Sequence, residues 1–264
     1  MITKGSRAMA KLDIYQFLCL SDNFGVLIHD NAAGVTASID APDAAAVRAA
    51  LAKTGWKLTH ILTTHPHADH VDGNLELKNE TKCLIVGPKG EADKIPGIDI
   101  KVGGGDKYQL GSFEAKVLDT PGHTLGHISY WFPEAKVAFV GDTLFALGCG
   151  RILEGDPKMM WDSLQRLAAL PPETAFYCGH EYTQANARFN LTIEPGNAAL
   201  VARSKEIDAL RSAGKPTLPS TIGAELATNV FLRAQSPEIQ TRLAMLDEQE
   251  WKVFAEIRAR KNRG

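Results

Sequence analysis

The sequence predicts an α/β domain with many strands over residues 1–180, followed by an all-helical domain over residues 181–264. Short apolar runs bounded by turn residues recur along the first part, as expected for strands that alternate with helices. After residue 180 the apolar residues recur at helical spacing, and proline-containing breakers separate the segments. A length of 264 residues allows one large domain or two, since a domain typically takes about 100–200 residues.

The strands of the first part are predicted from apolar runs that stop at turn-forming residues. For example, Ser21, Asp22 and Asn23 separate the first two runs, and residues of this kind favour turns. The predicted strands are Lys11–Leu20, Phe24–His29, Val35–Ile39, Lys57–Thr64, Lys82–Val86, Ser112–Leu118, Ile128–Phe132, Lys136–Val140 and Thr174–Cys178.

Helix boundaries are indicated by proline, glycine and capping residues. Pro42 in the first turn and Gly55 after the last turn enclose an alanine-rich helix. Ser236 is the expected N-cap of a helix whose first residue is Pro237. The predicted helices cover residues 42–53, 157–170 and 195–214, with one more starting at 237 and a last one starting at 247 that carries an apolar stripe of Trp251, Phe254 and Ile257.

The composition excludes several classes of protein. Hydrophobic residues make up 44% of the chain and the net charge is −2, whereas disordered chains have fewer apolar residues and a larger charge. No run approaches the roughly 18 apolar residues of a membrane span, so we expect a soluble protein. The small net charge gives no reason to expect nucleic acid or an anionic membrane as a partner.

The four cysteines, Cys19, Cys83, Cys149 and Cys178, are scattered and form no C-x-x-C pair. This spacing argues against a zinc ribbon, a dithiol redox pair and a disulfide scaffold, and favours free buried thiols in a reducing cytoplasm. Residues 1–8 carry two positive charges but no apolar core, so they do not form a secretory signal. We expect a disordered leader, with Met9 as an alternative start.

The strongest functional signal is a cluster of metal-ligating residues between positions 65 and 70. His65, His67, Asp69 and His70 follow directly on the predicted strand 57–64. Packing gives no reason to crowd three imidazoles and a carboxylate into six residues, and these groups suit Zn, Fe or Mn. One tetrahedral ion cannot use all four and further ligands as well, whereas two adjacent ions can.

Further candidate ligands follow later strands. His123, Asp142 and His180 each lie after the end of a predicted strand and beside a glycine, where ligand sites of α/β folds gather. Asp142 has two carboxylate oxygens and is therefore suited to bridge two ions. For His123 or His180 taken alone, a structural role is the commoner alternative.

The other polar residues near these strands are assigned supporting roles. His29, His60 and His127 lack the context of the cluster and are expected in the core or behind a ligand. Asp40 ends a predicted strand, where it either orients a ligand histidine or caps the following helix.

Taken together, these motifs resemble the metallo-β-lactamase superfamily, whose signature is H-x-H-x-D-H, and within it the hydroxyacylglutathione hydrolase (glyoxalase II) family. The segments that carry the closer resemblance are Thr64–His70, Thr120–Tyr130, Gly141–Gly150, Cys178–Thr183, Glu194–Asn197 and Thr228–Ala234. The resemblance implies an αββα sandwich with the metals at one edge and a helical C-terminal domain that shapes the substrate site.

The resemblance also implies a complete binuclear centre. By position, it implies one ion held by His65, His67 and His123, a second held by Asp69, His70 and His180, and Asp142 bridging the two. Zinc is the expected metal, with iron or manganese as alternatives. Asp69 would have a catalytic role as well, as the hydrogen-bond acceptor that orients the attacking hydroxide carried between the ions.

The implied substrate is S-D-lactoylglutathione, a thioester of an anionic tripeptide, bound by Arg151, Tyr182, Arg258 and Lys261. Arg258 and Lys261 are three residues apart, so they share one helix face and suit the glycyl carboxylate of glutathione. A solvated basic chain end is the alternative for this pair. Leu153 stands where the family has a tyrosine, so that phenol's hydrogen bond is absent or supplied elsewhere.

The reaction so implied is thioester hydrolysis by a cytoplasmic monomer, as the second step of methylglyoxal detoxification, with no Ser or Cys nucleophile. An iron-dependent glutathione persulfide dioxygenase uses the same scaffold and is the main alternative. Another superfamily hydrolase, such as a β-lactamase or phosphodiesterase, and a metal-binding module without activity are further alternatives.

Overall fold

The computed structural model describes residues 11–263, in which two β-sheets lie face to face. The predicted leader, residues 1–8, and Met9 lie outside the described residues. Among residues 11–263, no helix combines the length and the apolar character that crossing a bilayer requires.

The first sheet is antiparallel at one side and parallel at the other. Its strands follow one another in sequence order, and the parallel part begins where the third strand pairs with the fourth. The strands are β1 (Leu12–Cys19), β2 (Asn23–Asp30), β3 (Val35–Ile39), β4 (His60–Leu62), β5 (Leu84–Pro88) and β6 (Ile100–Val102).

The second sheet is a meander extended by two strands from later in the chain. Its strands are β7 (Lys107–Leu110), β8 (Phe113–Asp119), β9 (Ile128–Phe132), β10 (Val137–Phe139), β13 (Ala175–Tyr177) and β14 (Ser220–Thr221), in the order β14-β13-β10-β9-β8-β7. A separate hairpin of β11 (Leu144–Phe145) and β12 (Gly148–Cys149) follows β10.

The helices lie outside the two sheets, and several of them pack on the outer sheet faces. They are α1 (Ala44–Thr54), α2 (Ala68–Val71), α3 (Asn74–Thr81), α4 (Pro157–Ala168), α5 (Thr183–Ile193), α6 (Ala198–Ser212), α7 (Ile222–Thr228), α8 (Pro237–Leu243) and α9 (Glu250–Arg263), with 3-10 turns at Lys89–Lys94 and Val230–Leu232.

Three large clusters of the hydrophobic core form layers, and a small fourth cluster packs the β11–β12 hairpin against α5 and α6. Between the sheets, Ile28 and Val86 of the first pack with Tyr130 and Phe139 of the second. On the outer face of the first sheet, α1 and α3 pack against β4 and β5. On the outer face of the second sheet, α4 and the later helices pack against β10 and β13. The predicted αββα sandwich with a helical C-terminal part is therefore confirmed.

The helical part supplies the edge strand of the second sheet. Ser220 pairs with Phe176 of β13, so β14 forms the edge of that sheet. Nearby, the fully buried Glu225 accepts hydrogen bonds from the Leu147 N–H (2.8 Å) and the Ser220 hydroxyl (2.6 Å). The helical part therefore holds the β11–β12 hairpin, which leads into the cleft described below.

Several predicted boundaries were wrong for local reasons. Pro42 lies before the helix rather than in its first turn, because the carboxylate of Asp43 caps α1 by accepting the N–H groups of Ala45 and Ala46. The predicted start of α8 is confirmed, with Ser236 at the N-cap and Pro237 as the first residue, although the Ser236 hydroxyl donates to Glu194 (2.6 Å) rather than capping the helix. The last helix begins at Glu250 and not at 247.

Candidate metal centre

The residues of the 65–70 cluster lie on the connection from β4 to α2, at the edge of the two sheets. The backbone continues the β4 pairing as far as Thr64, whose carbonyl accepts the N–H of Ile128 (3.0 Å) from the second sheet. His65 and His70 are buried, whereas His67 and Asp69 are half-exposed. The chain thus turns between the sheets and presents the cluster at their common edge.

Three imidazoles converge on one point. His67 Nδ1 lies 3.0 Å from both His65 Nε2 and His123 Nε2, and one nitrogen of each ring lies within 4.8 Å of the others. Burial lowers the pKa of His65 and His123, so both rings are neutral at ordinary pH and offer lone pairs. Neutral imidazole is the form that binds metal ions.

A second set of donors lies beside the first. Asp69 Oδ2 is 3.3 Å from His180 Nε2 and 3.8 Å from His70 Nε2. Burial lowers the pKa of His180, but hydrogen bonds to Asp142, Asp69 and Asp22 outweigh it and raise that pKa to about 10. A site that attracts a proton so strongly has the negative potential that also attracts a cation.

Asp142 lies between the two sets. Its Oδ1 is 3.5 Å from His70 Nε2, while its Oδ2 is 3.4 Å from His123 Nε2 and 3.3 Å from His180 Nε2. Burial raises the pKa of this carboxyl, but the surrounding histidines outweigh it and hold the pKa well below its usual range. The carboxylate is therefore ionised and reaches both donor sets, as a bridging ligand must.

Two buried atoms of this cluster indicate that a cation belongs there. Within residues 11–263, His70 Nε2 and Asp142 Oδ1 are buried and have no hydrogen-bond partner. Buried polar atoms are almost always paired, because an unpaired one costs on the order of 1–3 kcal/mol. Nitrogen and carboxylate donors in this arrangement fit zinc, iron or manganese.

Asp40 fixes the rear of the cluster. Its carboxylate accepts from the Thr64 N–H (2.7 Å) and hydroxyl (2.9 Å) and contacts His70 Nδ1 at 2.8 Å. These bonds point His70 Nε2 toward Asp142, which is how carboxylates commonly orient ligand histidines. Asp40 therefore does not cap α1, since Asp43 does so.

His127 supports Asp142 from behind the candidate ligands, where it is predicted. It is buried, its Nε2 accepts the N–H of Asp142 (3.1 Å), and its Nδ1 contacts the hydroxyls of Thr120 (2.8 Å) and Thr143 (3.1 Å). Burial lowers its pKa well below the usual range, so the ring stays neutral and can accept at Nε2. Of the other two histidines, His29 stacks on Trp56 and His60 lies in β4.

The β1–β2 turn contributes two residues that the sequence analysis missed. Asp22 Oδ1 lies 2.8 Å from His180 Nδ1, and Asn23 Nδ2 donates to Asp69 Oδ2 (3.0 Å). Asn23 and His180 also form an isolated β-bridge between the sheets. From the sequence alone these residues are predicted only to form a turn, because no local pattern shows that the turn contacts His180.

A cleft of about 610 Å³ opens above the cluster and brings together all four predicted substrate contacts. Tyr182 stacks flat on His180 with ring centres 4.8 Å apart, and Leu153 is 52% exposed at the rim. The residues that line the cleft include Arg151, Leu153, Tyr182, Arg258 and Lys261 together with His67, Asp69, His123, Asp142 and His180.

The two basic residues of α9 reach the cleft differently. Arg258 is buried, its Nη1 donates to the Cys149 carbonyl (3.0 Å), and its guanidinium lies 5.3 Å from the Phe231 ring centre. Its Nε is buried without a partner among the described residues. Lys261 Nζ lies 5.1 Å from the Phe189 ring centre, and burial together with Arg258 lowers its pKa. This end of the cleft is therefore cationic and suits a carboxylate.

The cysteines near the site are buried rather than reactive. Burial raises the pKa of Cys149 to about 11, although Arg258 opposes this, and burial raises the pKa of Cys178 further. A thiol that stays protonated at neutral pH is a poor nucleophile.

Two family models together match residues 36–264. Residues 36–180 match the model of the metallo-β-lactamase superfamily, and residues 181–264 match the model of the hydroxyacylglutathione hydrolase C-terminus. The hydroxyacylglutathione hydrolase of Brucella canis is 57% identical over 256 residues, which cover 97% of this chain and 98% of that protein. That of Brucella ovis is 58% identical over 252 residues, covering 96% and 98%.

Solved structures share the architecture at lower identity. ETHE1 from Myxococcus xanthus is 27% identical with a TM-score of 0.65, covering 94% of this chain and 97% of that one. The protein TTHA1623, solved in a di-iron-bound form, is 25% identical with a TM-score of 0.59, covering 83% and 100%.

Proposed function

The chain belongs to the hydroxyacylglutathione hydrolase family of the metallo-β-lactamase superfamily, and on that premise we propose that it hydrolyses S-D-lactoylglutathione to D-lactate and glutathione. The observation that carries the proposal is the pair of converging donor sets at the floor of a cationic cleft. One molecule of water is consumed: its oxygen joins the acyl carbon, the C–S bond breaks, and the thiolate takes a proton.

We assign the metal ligands by position. His65, His67 and His123 would hold one divalent ion, Asp69, His70 and His180 a second, and Asp142 would bridge them. When bound, such ions supply Lewis acidity, which makes water acidic and polarises a carbonyl oxygen. Zinc is our proposed metal, with iron or manganese as alternatives, because mixed imidazole and carboxylate donors suit all three.

Asp69 has a second role in this proposal. Its side chain is 40% exposed at the cleft, while its Oδ2 is held by Asn23 and lies 3.3 Å from His180 Nε2. Its hydrogen bond with His180 lowers the pKa of Asp69 despite partial burial, so the carboxylate remains an acceptor at neutral pH. An ionised acceptor so fixed can hold the proton of the attacking water and direct its oxygen at the acyl carbon.

The cleft accounts for recognition of the glutathione part. Arg258 and Lys261 offer a carboxylate two cationic donors at one end of the cleft. Arg151 adds a third cation nearer His123, since the Arg151 carbonyl lies 2.8 Å from His123 Nδ1. Tyr182 offers a hydroxyl, and burial with the nearby Asp22, Asp142 and Asp69 raises its pKa to about 12, so it is a donor at neutral pH. No Ser or Cys nucleophile is needed.

The test is a steady-state assay on S-D-lactoylglutathione beside simple thioesters, the lactam nitrocefin and glutathione persulfide, with metal content measured on the same sample. We expect the highest kcat/KM for lactoylglutathione and close to two metal equivalents per chain. Faster turnover of nitrocefin, or oxygen uptake with glutathione persulfide, would overturn the assignment. Full activity with well under two metal equivalents would overturn the binuclear centre.

We also propose a cellular setting for this reaction. Lactoylglutathione hydrolysis is the second step of methylglyoxal detoxification, and we place it in the cytoplasm. All four cysteines are free and buried, which fits a reducing compartment. We further propose a monomer, because one chain by itself supplies all seven proposed metal ligands and the four proposed substrate contacts; sedimentation of the purified protein tests this.

A further inference from the structure

The loop that carries His123 is held from outside the cleft by two carboxylates that share one lysine. The Thr124 hydroxyl donates to Glu91 Oε2 (2.7 Å), and the Leu125 N–H donates to Glu154 Oε2 (2.9 Å). Lys94 Nζ lies 3.3 Å from Glu91 and 3.6 Å from Glu154. The three charged residues thus connect the 3-10 turn 89–94, the His123 loop (residues 120–127) and the segment 151–156.

Glu91 is an unusual residue for a purely structural position. It is only 2% exposed, and Thr124 is fully buried. A buried carboxylate is costly unless its oxygens are well paired, so a well-packed apolar residue would hold two surface segments together more cheaply. Gly126 allows the contact, since a Cβ there would collide with the Glu91 side chain.

The same contacts determine the position of the His123 ring. Thr124 and Leu125, the two residues after His123, are the ones held by Glu91 and Glu154. The ring itself is held at Nδ1 by the carbonyl of Arg151 (2.8 Å), three residues before Glu154. The backbone and ring of His123 are therefore fixed by the same two segments, with Nε2 directed at His67 and Asp142.

We propose that Glu91, Lys94 and Glu154 form a positioning clamp, which fixes the His123 loop in the conformation that binds metal. The clamp thereby sets the affinity of the ion that His65, His67 and His123 would hold. The clamp rests on the proposed binuclear centre. It touches neither ion nor substrate and acts only through His123.

The clamp acts on one donor set only. The other set, Asp69 with His70 and His180, is held by different residues: Asp22 and Asn23 on the β1–β2 turn and Asp40 after β3. A change in the clamp therefore leaves these supports intact, and a change at Asp22 leaves the clamp intact.

The test is metal titration of the metal-free protein against a chromophoric chelator, for wild type, Glu91→Ala and Glu91→Gln. We expect Glu91→Ala to weaken one of two zinc equivalents by about tenfold, at the low end of the range for residues that support ligands. Glu91→Gln retains an acceptor for Thr124 and is expected to restore most of the affinity. Lys107→Met, which removes an exposed lysine that pairs with Glu114 at 2.9 Å, is the control.

Two further variants keep the test decisive. Lys94→Met changes a half-exposed residue, so it is expected to fold, and it should weaken the same equivalent by a smaller factor. Asp22→Ala should weaken the other equivalent, so the double variant with Glu91→Ala should weaken both. If the double variant weakens only one, the two residues act on the same site and the clamp is overturned.

The outcomes separate the two proposals. Wild-type protein that binds fewer than two equivalents overturns the binuclear centre and the clamp with it. Wild type with two equivalents, but clamp variants that titrate like Lys107→Met, overturns the clamp alone. Melting curves of the metal-free variants show whether the loss is specific, because a general loss of fold lowers the melting midpoint before any metal is added.

Discussion

Lys261 and Arg258 share one face of α9, but only Lys261 can be removed without disturbing the fold. Arg258 is buried, donates to the Cys149 carbonyl and lies 5.3 Å from the Phe231 ring centre, so its loss would also disturb packing. Lys261 is less buried, and it has one weak hydrogen bond, 3.4 Å to the Ala185 carbonyl, beside its contact with the Phe189 ring at 5.1 Å. Lys261 is therefore the residue at which substrate binding can be tested separately.

We expect Lys261→Met to raise KM for lactoylglutathione about tenfold with little change in kcat, because a charge-assisted contact of about 1.4 kcal/mol is lost. KM for a simple thioester that lacks the glycyl carboxylate should stay unchanged. Lys252→Met on the same helix, where the amine pairs with Glu248, is the control. Equal effects on both substrates would contradict the binding role.

Gly141 shows how tightly its neighbour Asp142, the proposed bridging ligand, is placed. Its φ of +47° is a conformation that side chains disfavour, and a Cβ there would lie 2.6 Å from both His127 Nε2 and Thr64 Oγ1. We expect Gly141→Ala to lower the free energy of unfolding by about 1–3 kcal/mol, measured by urea denaturation. Gly34→Ala, with φ +67° but open space around it, should cost less. Equal losses would mean that only backbone strain matters.

The residues of the site differ in how far the sequence alone predicts them. The cluster from His65 to His70 is apparent because its members are adjacent in the chain, and the placement of His123, Asp142 and His180 follows from strand ends meeting at one edge. Asp22 and Glu91 could not be predicted, because they reach the site through contacts across the fold that leave no local pattern.

At the scale of elements, one buried carboxylate joins α5 to the segment before α8. Glu194 ends α5 and accepts from Arg233 Nε (2.8 Å), Asn197 Nδ2 (3.0 Å) and the Ser236 hydroxyl (2.6 Å). Burial raises the pKa of Glu194, but these hydrogen bonds outweigh it and leave that pKa below its ordinary value of 4.5. The ionised form therefore stabilises the fold.

The lowered pKa determines the pH dependence. The stabilisation is fully present above about pH 4.5 and is lost as the pH falls through the lower native pKa, since the unfolded chain binds the proton more tightly. We expect Glu194→Gln to cost about 1–3 kcal/mol at pH 7 and to flatten the loss of stability below pH 4.5, measured by urea denaturation. The exposed Glu134→Gln is the control; an unchanged pH profile in Glu194→Gln would contradict this role.

Helices and strands could be predicted from the sequence where a clear apolar pattern or a capping residue marks them. The strands 35–39 and 128–132 were predicted with their observed bounds, because each is an apolar run between clear breakers. By contrast, β6 and β7 are only three and four residues long and carry lysines at exposed positions, so no apolar run marks them. The helix α5 has no capping side chain at Tyr182 and was missed for that reason.

At the scale of the whole molecule, the helical part shares a hydrophobic core with the second sheet. The hydrophobic cluster on the outer face of the second sheet combines Leu164 and Phe176 with Ile222, Phe231 and Phe254. Removing the helical part would therefore expose side chains that are now fully buried, at a cost of about 1.5–3 kcal/mol each.

A chain that ends at residue 180 should accordingly fail to fold, although it retains every proposed metal ligand. We expect it to be insoluble or to lack a cooperative melting transition in circular dichroism. Co-expression with residues 181–264 should restore soluble, active protein, because the apolar faces of the two pieces match. A cooperative transition in the short chain alone would show that the hydrophobic contact between the second sheet and the helical part contributes little to folding stability.

The pairing of β14 with β13 has a consequence for synthesis on the ribosome. All seven proposed metal ligands lie at or before residue 180, but Ser220, the neighbour of Phe176 at the sheet edge, emerges from the ribosome forty-four residues after Phe176. During that interval the nascent chain presents an open strand edge, which is the kind of surface that templates aggregation. The delay between the emergence of Phe176 and that of Ser220 from the ribosome therefore sets how long the incomplete chain is prone to aggregate, and chaperone demand should concentrate in that interval.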